Sequence, residues 1–106
     1  NPIGNEGCAA LADARMDRLE VLYLHGCGLD DDAAAALLRA PWLSHLKNLA
    51  LSDNALAMVS IERLVARPTL RLGELDICHN PGILEGEAES LLRGAPQLAG
   101  LHRLCL

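Results

Sequence analysis

Leu46-Lys47-Asn48-Leu49-Ala50-Leu51-Ser52-Asp53-Asn54 is the stretch from which the fold of this chain is read. Leu49 and Leu51 alternate with Asn48, Ala50 and Ser52, the period of two that gives a β-strand one apolar face and one face free of any apolar requirement. The spacing returns as Leu19, Leu22, Leu24, Cys27 and as Leu72, Leu75, Ile77, Asn80, and a fourth copy begins with Leu101, Leu104, Leu106. The four starts lie 27, 26 and 29 residues apart. Upstream, Asn1 to Gly7 reads as the tail of an earlier copy, with Asn1 in the asparagine column.

The segments between these stretches recur as well. Ten residues after the Asn or Cys column stand Leu11, Leu37 and Leu64, with Leu91 one place later; beside them run Ala12, Leu38, Val65 and Leu92. Three residues earlier comes a column of Cys8, Ala34, Ile61 and Ala88. This i, i+3, i+4 spacing predicts a buried helical stripe. Acids at Glu6, Asp30 to Asp32, Glu85 and Glu87 precede the stripe and Arg15, Arg39, Arg67 and Arg93 follow it, as the helix dipole favours. Pro41, Pro68 and Pro96 then stop each helix, and a leucine two residues on re-enters the core. One strand and one helix per copy follow.

Composition limits the rest. The 106 residues suffice for one domain, 51% are apolar, and 23 leucines and 16 alanines accompany only Trp42 and Tyr23 as aromatics. No apolar run approaches the ~18 residues of a membrane span, and Asn1-Pro2 opens no signal sequence. A net charge of -5 with nine scattered Lys and Arg argues against nucleic acid. Cys8, Cys27, Cys78 and Cys105 form no C-x-x-C pair, and separations of 19, 51 and 27 suggest reduced thiols in a cytoplasmic protein.

With both sets of columns in place, the chain resembles leucine-rich repeats of the ribonuclease-inhibitor type. The resemblance implies an α/β solenoid, a horseshoe segment with parallel β-strands on the concave face and helices on the convex face. It makes residues 1-106 a single domain of about four repeats (1-18 partial, 19-45, 46-71, 72-100, 101-106 partial), expected to be a segment of a longer array. Repeats of 26 and 27 residues are slightly short for the family, the closing segment at Leu70-Arg71-Leu72 lacks one residue, and Gly82-Ile83-Leu84 carries an extra one. In the family, the residues in the Asn54 and Asn80 column turn inward and bond to backbone groups of the adjoining loop. Cys27 fills the same column as a small buried residue.

The side chains expected on the open, concave side are Val21, Tyr23 and His25; Asn48, Ala50 and Ser52; Glu74, Asp76 and Cys78; Arg103 and Cys105. A rigid sheet with a polar, variable face suits recognition, because little ordering entropy is lost on binding. Tyr23 and Arg103 are the expected anchors, the residue types that dominate interfaces, with Val21, His25, Asn48, Ser52, Asp53, Glu74 and Asp76 completing the partner-binding set. Trp42 is expected to pack between repeats, and Asp30-Asp31-Asp32 to form a charged helix cap.

Metal and nucleophile readings are disfavoured. Cys78, His79, Asp76 and Cys105 could gather around a metal with His25, but His25 lies two strands from Cys78, roughly 10 Å, and zinc ligands must lie ~2 Å from the ion. Cys78 as nucleophile with His79 or His25 as base and Asp53 or Asp76 orienting it would need contact at ~3 Å, yet Cys78 and His79 point to opposite faces. Cys78 and Cys105 are expected to be unreactive thiols. The expected function is therefore a non-catalytic protein-protein interaction module, with no cofactor, metal, small-molecule substrate, nucleic acid or membrane. An alternative is the target-recognition part of a larger enzyme or bacterial effector, such as a ubiquitin ligase or GTPase regulator, translocated in the effector case. The Ala, Leu, Arg and Gly bias fits a GC-rich genome.

Overall fold

The computed structural model describes residues 3–16 and 18–106; Asn1, the expected member of the asparagine column, lies outside them. The described residues form an α/β domain with four α-helices and one four-stranded parallel sheet. Helix α1 (Gly4–Asp13) leads to β1 (Val21–Tyr23), α2 (Asp31–Leu37), a 3-10 segment (Pro41–His45) and β2 (Asn48–Ala50). Then come α3 (Met58–Val65), β3 (Glu74–Asp76), α4 (Glu85–Arg93), a second 3-10 segment (Pro96–Leu98) and β4 (Arg103–Cys105). Among the described residues no helix is long and apolar enough to cross a membrane.

The strands lie in sequence order β1-β2-β3-β4, and the register pairs Leu22 with Leu49, Leu49 with Leu75 and Leu75 with Leu104. Period-two alternation thus brings the leucines onto one face. Pairing continues beyond the three-residue strands: Leu24, Leu51 and Ile77 donate backbone N–H bonds to Ala50, Asp76 and Cys105 at 2.7–2.9 Å. After β1, β2 and β3 the chain turns: Gly26, Asp53 and His79, one residue before Cys27, Asn54 and Asn80, all have φ between 55° and 60°.

The helices lie on the leucine side. Ala34, Leu37, Ile61 and Leu64 line the same apolar interior as Leu22, Leu49, Leu51 and Ile77, and Cys8, Ala34, Ile61 and Ala88 are buried as the helical spacing predicts. Leu92 is also buried, but Leu91 is 39% exposed, because α4 packs against α3 on one side only. Burial pushes the Cys8 thiol pKa up, with smaller contributions from Cys27 and Asp30.

Helix ends have specific partners. Asp30 caps α2 by accepting from the Ala33 N–H at 3.0 Å, a bond that holds its carboxyl below the usual carboxylate range. Helix α3 has Ala57 at its N-cap, which brings no side-chain cap of its own. Asp31 supplies one from the neighbouring segment, accepting from the Ala57 N–H at 3.0 Å and from the Ser60 hydroxyl. Pro41 and Pro96, expected as simple stops, each open a 3-10 segment. From these segments the buried Trp42 indole donates to Leu11 C=O at 3.1 Å, and Gln97 donates to Val65 C=O at 2.6 Å. Gln97 thereby serves the carbonyl of the last α3 residue, whose place in the helix leaves it no intrahelical donor, while Trp42 adds a second donor to the Leu11 carbonyl, which also accepts from the Ala14 N–H at 3.2 Å. Pro68 makes only a turn, where the closing segment is one residue shorter.

Asn54 and Asn80 are buried and bonded as expected. The Asn54 Oδ1 accepts from Cys27 and Leu29 N–H groups at 3.0 Å each, and its Nδ2 donates to Leu24, Leu51 and Ser52 carbonyls. Asn80 accepts from Leu56 N–H and donates to Leu51, Ile77 and Cys78 carbonyls. Each amide thus links one segment to the one before it.

Candidate functional site on the open face of the sheet

Strand register sorts the side chains opposite the helices into rows. Val21, Asn48, Glu74 and Arg103 form the first, and Tyr23, Ala50, Asp76 and Cys105 the second. His25, Ser52 and Cys78 follow two residues later. All of these except Val21 and Cys78 line an open groove of about 670 Å³.

Tyr23 is the most exposed large apolar side chain, 66% accessible, and Val21 is exposed beside it on the edge strand. Glu74 and Arg103 meet across β3 and β4 at 3.3 Å. Asn48 and Asp76 are half-buried, and Asp76 Oδ1 accepts from the Cys78 N–H at 3.0 Å. The face therefore brings together Val21, Tyr23, Asn48, Glu74, Asp76 and Arg103 in two adjacent rows.

The third row departs from a simple exposed strip. Ser52 is only 6% exposed, because the His25 ring covers it, with Nδ1 at 2.8 Å from Ser52 Oγ. The Asp53 carboxylate lies 3.1 Å from that same Nδ1, on the turn rather than the strand. Histidine, serine and aspartate in contact suggest a nucleophilic relay, but such a relay needs acid and nucleophile at opposite ring nitrogens. Here both sit at Nδ1, so the ring orders the turn and Ser52 is not activated.

One side chain was missed. His102 lines the groove, and its ring fills the space left by the absent side chain of Gly73, where a Cβ would come within 2.9 Å of His102 Cε1. The signal was available in the sequence, since Gly73 and His102 occupy the same position in consecutive segments, just before β3 and β4.

The expectation of reduced, unreactive thiols at Cys78 and Cys105 is corrected: the two form a disulfide. Cys105 pairs in register with Asp76, and Cys78 lies two residues further along the same face. The Cα atoms are consequently 5.6 Å apart, within the range a disulfide spans. A separation of 27 residues looks remote along the chain but equals one strand-to-strand step. Cys8 and Cys27 remain free.

Among the described residues, one group of metal-ligating side chains converges: Asp76, Cys78 and Cys105, with ligand atoms within 4.8 Å of one another. Neither His25 nor His79 belongs to it. No protein-family model and no curated protein matches the chain.

Proposed function

We propose that the chain is a leucine-rich repeat segment of the ribonuclease-inhibitor type that binds a protein partner through the open face of its sheet. In this reading the four parallel strands form the concave side of a curved solenoid and the helices the convex side. The observation that carries it is the one-sided sheet. Parallel sheets are ordinarily covered on both faces, yet here the helices pack on the leucine side while Tyr23, Glu74, Asp76 and Arg103 line an open groove opposite. A tyrosine and an arginine flanking polar side chains on a fixed backbone are what a recognition surface needs.

The reading is non-catalytic. Recognition is its output, and the meeting of Ser52 and Asp53 at one ring nitrogen of His25 favours it over a nucleophilic relay at those three residues. A cytoplasmic location loses the support once drawn from Cys78 and Cys105, since disulfides are rare in that compartment except in redox use.

Quantitative affinity capture tests the proposal with a triple variant, Tyr23→Ala, Glu74→Ala and Arg103→Ala, beside a helix-face control, Glu89→Ala with Arg93→Ala. Partners recovered by the unaltered chain should be lost with the first and kept with the second. The reverse pattern would place recognition on the helices and refute the reading.

A further inference from the structure

We propose that, when the Cys78–Cys105 bond is reduced, Asp76, Cys78 and Cys105 bind a thiophilic divalent cation of the zinc type, so that metal loading and disulfide formation exclude one another. The inference stands apart from protein recognition and rests on the geometry of these three side chains.

Their ligand atoms already lie within 4.8 Å of one another. Two ligands of a tetrahedral zinc, each ~2.3 Å from the ion, are separated by about 3.7 Å. Once the sulfur-sulfur bond is broken, rotation about the two Cα–Cβ bonds opens that gap without moving backbone. The backbone is held independently: Ile77 N–H donates to Cys105 C=O at 2.9 Å and Asp53 N–H to Cys78 C=O at 3.0 Å. The Asn80 amide also donates to Cys78 C=O, at 3.3 Å. These hydrogen bonds do not depend on the disulfide, across which the Cα atoms are 5.6 Å apart.

Asp76 is oriented for the role. Its Oδ1 accepts from the Cys78 N–H at 3.0 Å, which fixes the carboxylate and leaves Oδ2 for the ion, the kind of outer-shell hydrogen bond that orients metal ligands. Two thiolates select a soft or borderline cation over magnesium or calcium, which prefer oxygen. Three protein ligands on an open face leave a fourth position to water or to a ligand atom of another molecule.

The chemistry balances with a thiol reductant. A small dithiol attacks one sulfur to give a mixed disulfide, and its second thiol closes the reductant's own disulfide. This releases Cys78 and Cys105 as thiols while the reductant loses two electrons and two protons. Binding one divalent cation then displaces both thiol protons to solvent.

The full chain, reduced with a dithiol and desalted without oxygen, is to be titrated with zinc against a chromogenic chelator, and with cadmium while thiolate charge-transfer absorption is followed. The reduced chain should take up one zinc and the disulfide form none. Asp76→Asn should weaken binding at least tenfold, Cys105→Ser should abolish it, and Cys27→Ser should leave it unchanged. A reduced chain that yields zinc to the chelator as readily as the disulfide form overturns the proposal, and so does binding that survives both Asp76→Asn and Cys105→Ser. If Cys105→Ser fails to fold, the reduced and oxidised wild-type chains still decide the question.

Discussion

A single primary amide at Asn54 engages five backbone groups, two N–H donors and three carbonyls, where the strand ends; of these, Ser52 C=O also accepts from Gly26 N–H and Leu51 C=O from Asn80. Removing it strands the buried Leu29 N–H and the half-buried Cys27 N–H, at ~1 to 3 kcal/mol for an unsatisfied buried group. Asn54→Ala should therefore lower stability in urea by on the order of 3 kcal/mol, and a loss below ~1 kcal/mol would show that water replaces the amide. This role was legible in the sequence, because asparagine recurred after the same leucine spacing. The backbone at Asp53 and His79 was less so: both adopt the left-handed conformation that favours glycine, as Gly26 does at the same place, and although aspartate and histidine enter it more readily than most residues, either is commoner elsewhere. The cysteine pair was legible only in two dimensions. Along the chain Cys78 and Cys105 looked remote, whereas laid on adjacent strands they are diagonal neighbours.

Among the elements, strands were the easiest to read, since Leu49 and Leu75 alternate with polar neighbours and are buried at 4% and 2% exposure. The facing assignment predicts unequal costs for two truncations. Leu49→Ala should lose ~2 to 5 kcal/mol as a core cavity, while Tyr23→Ala should leave the thermal midpoint nearly unchanged; equal losses would contradict it. Helices were read from their buried columns, but the 3-10 segments after α2 and α4 were not, because proline signals the end of one helix without saying that another begins. The origin of the α3 cap was also hidden. Asp31 looked like part of a local acidic cap for α2, yet it serves Ala57 and Ser60, 26 and 29 residues downstream. Asp31→Ala should cost about 1 kcal/mol, the usual value of a lost cap, whereas Asp32→Ala, at an exposed side chain, should cost little. Asp30 adds a pH dependence. Its carboxyl pKa is lowered in the folded chain, chiefly by the Ala33 N–H, so its contribution is present above the unfolded value of about 4 and fades as pH falls through the folded value. Urea midpoints should decline with acid less steeply in Asp30→Asn than in the unaltered chain.

For the whole molecule, the fold is a chain of neighbour relations. Each helix packs on the next, each strand pairs with the next, and Asn54, Asn80, Asp31, Trp42 and Gln97 reach back or forward by one segment. The parallel order of the four strands followed from the sequence, because connections long enough to hold a helix permit it. The groove's details did not follow from it, since the covering of Ser52 by His25 depends on side-chain orientation. Closing a loop across a separation of 27 residues with a disulfide is worth about 3.5 kcal/mol in the chain-entropy account. Reduction by a dithiol should therefore lower the thermal midpoint by about 10 °C or more, and an unchanged midpoint would mean that the reduced unfolded chain is already as constrained.

The bond between Cys78 and Cys105 also makes the two borders of the sheet unequal. Both outer strands have one neighbour, but β4 is fastened covalently and β1 is held by hydrogen bonds and packing alone. Deuterium should accordingly enter the amides around β1 sooner than those around β4, and a reductant should erase that polarity.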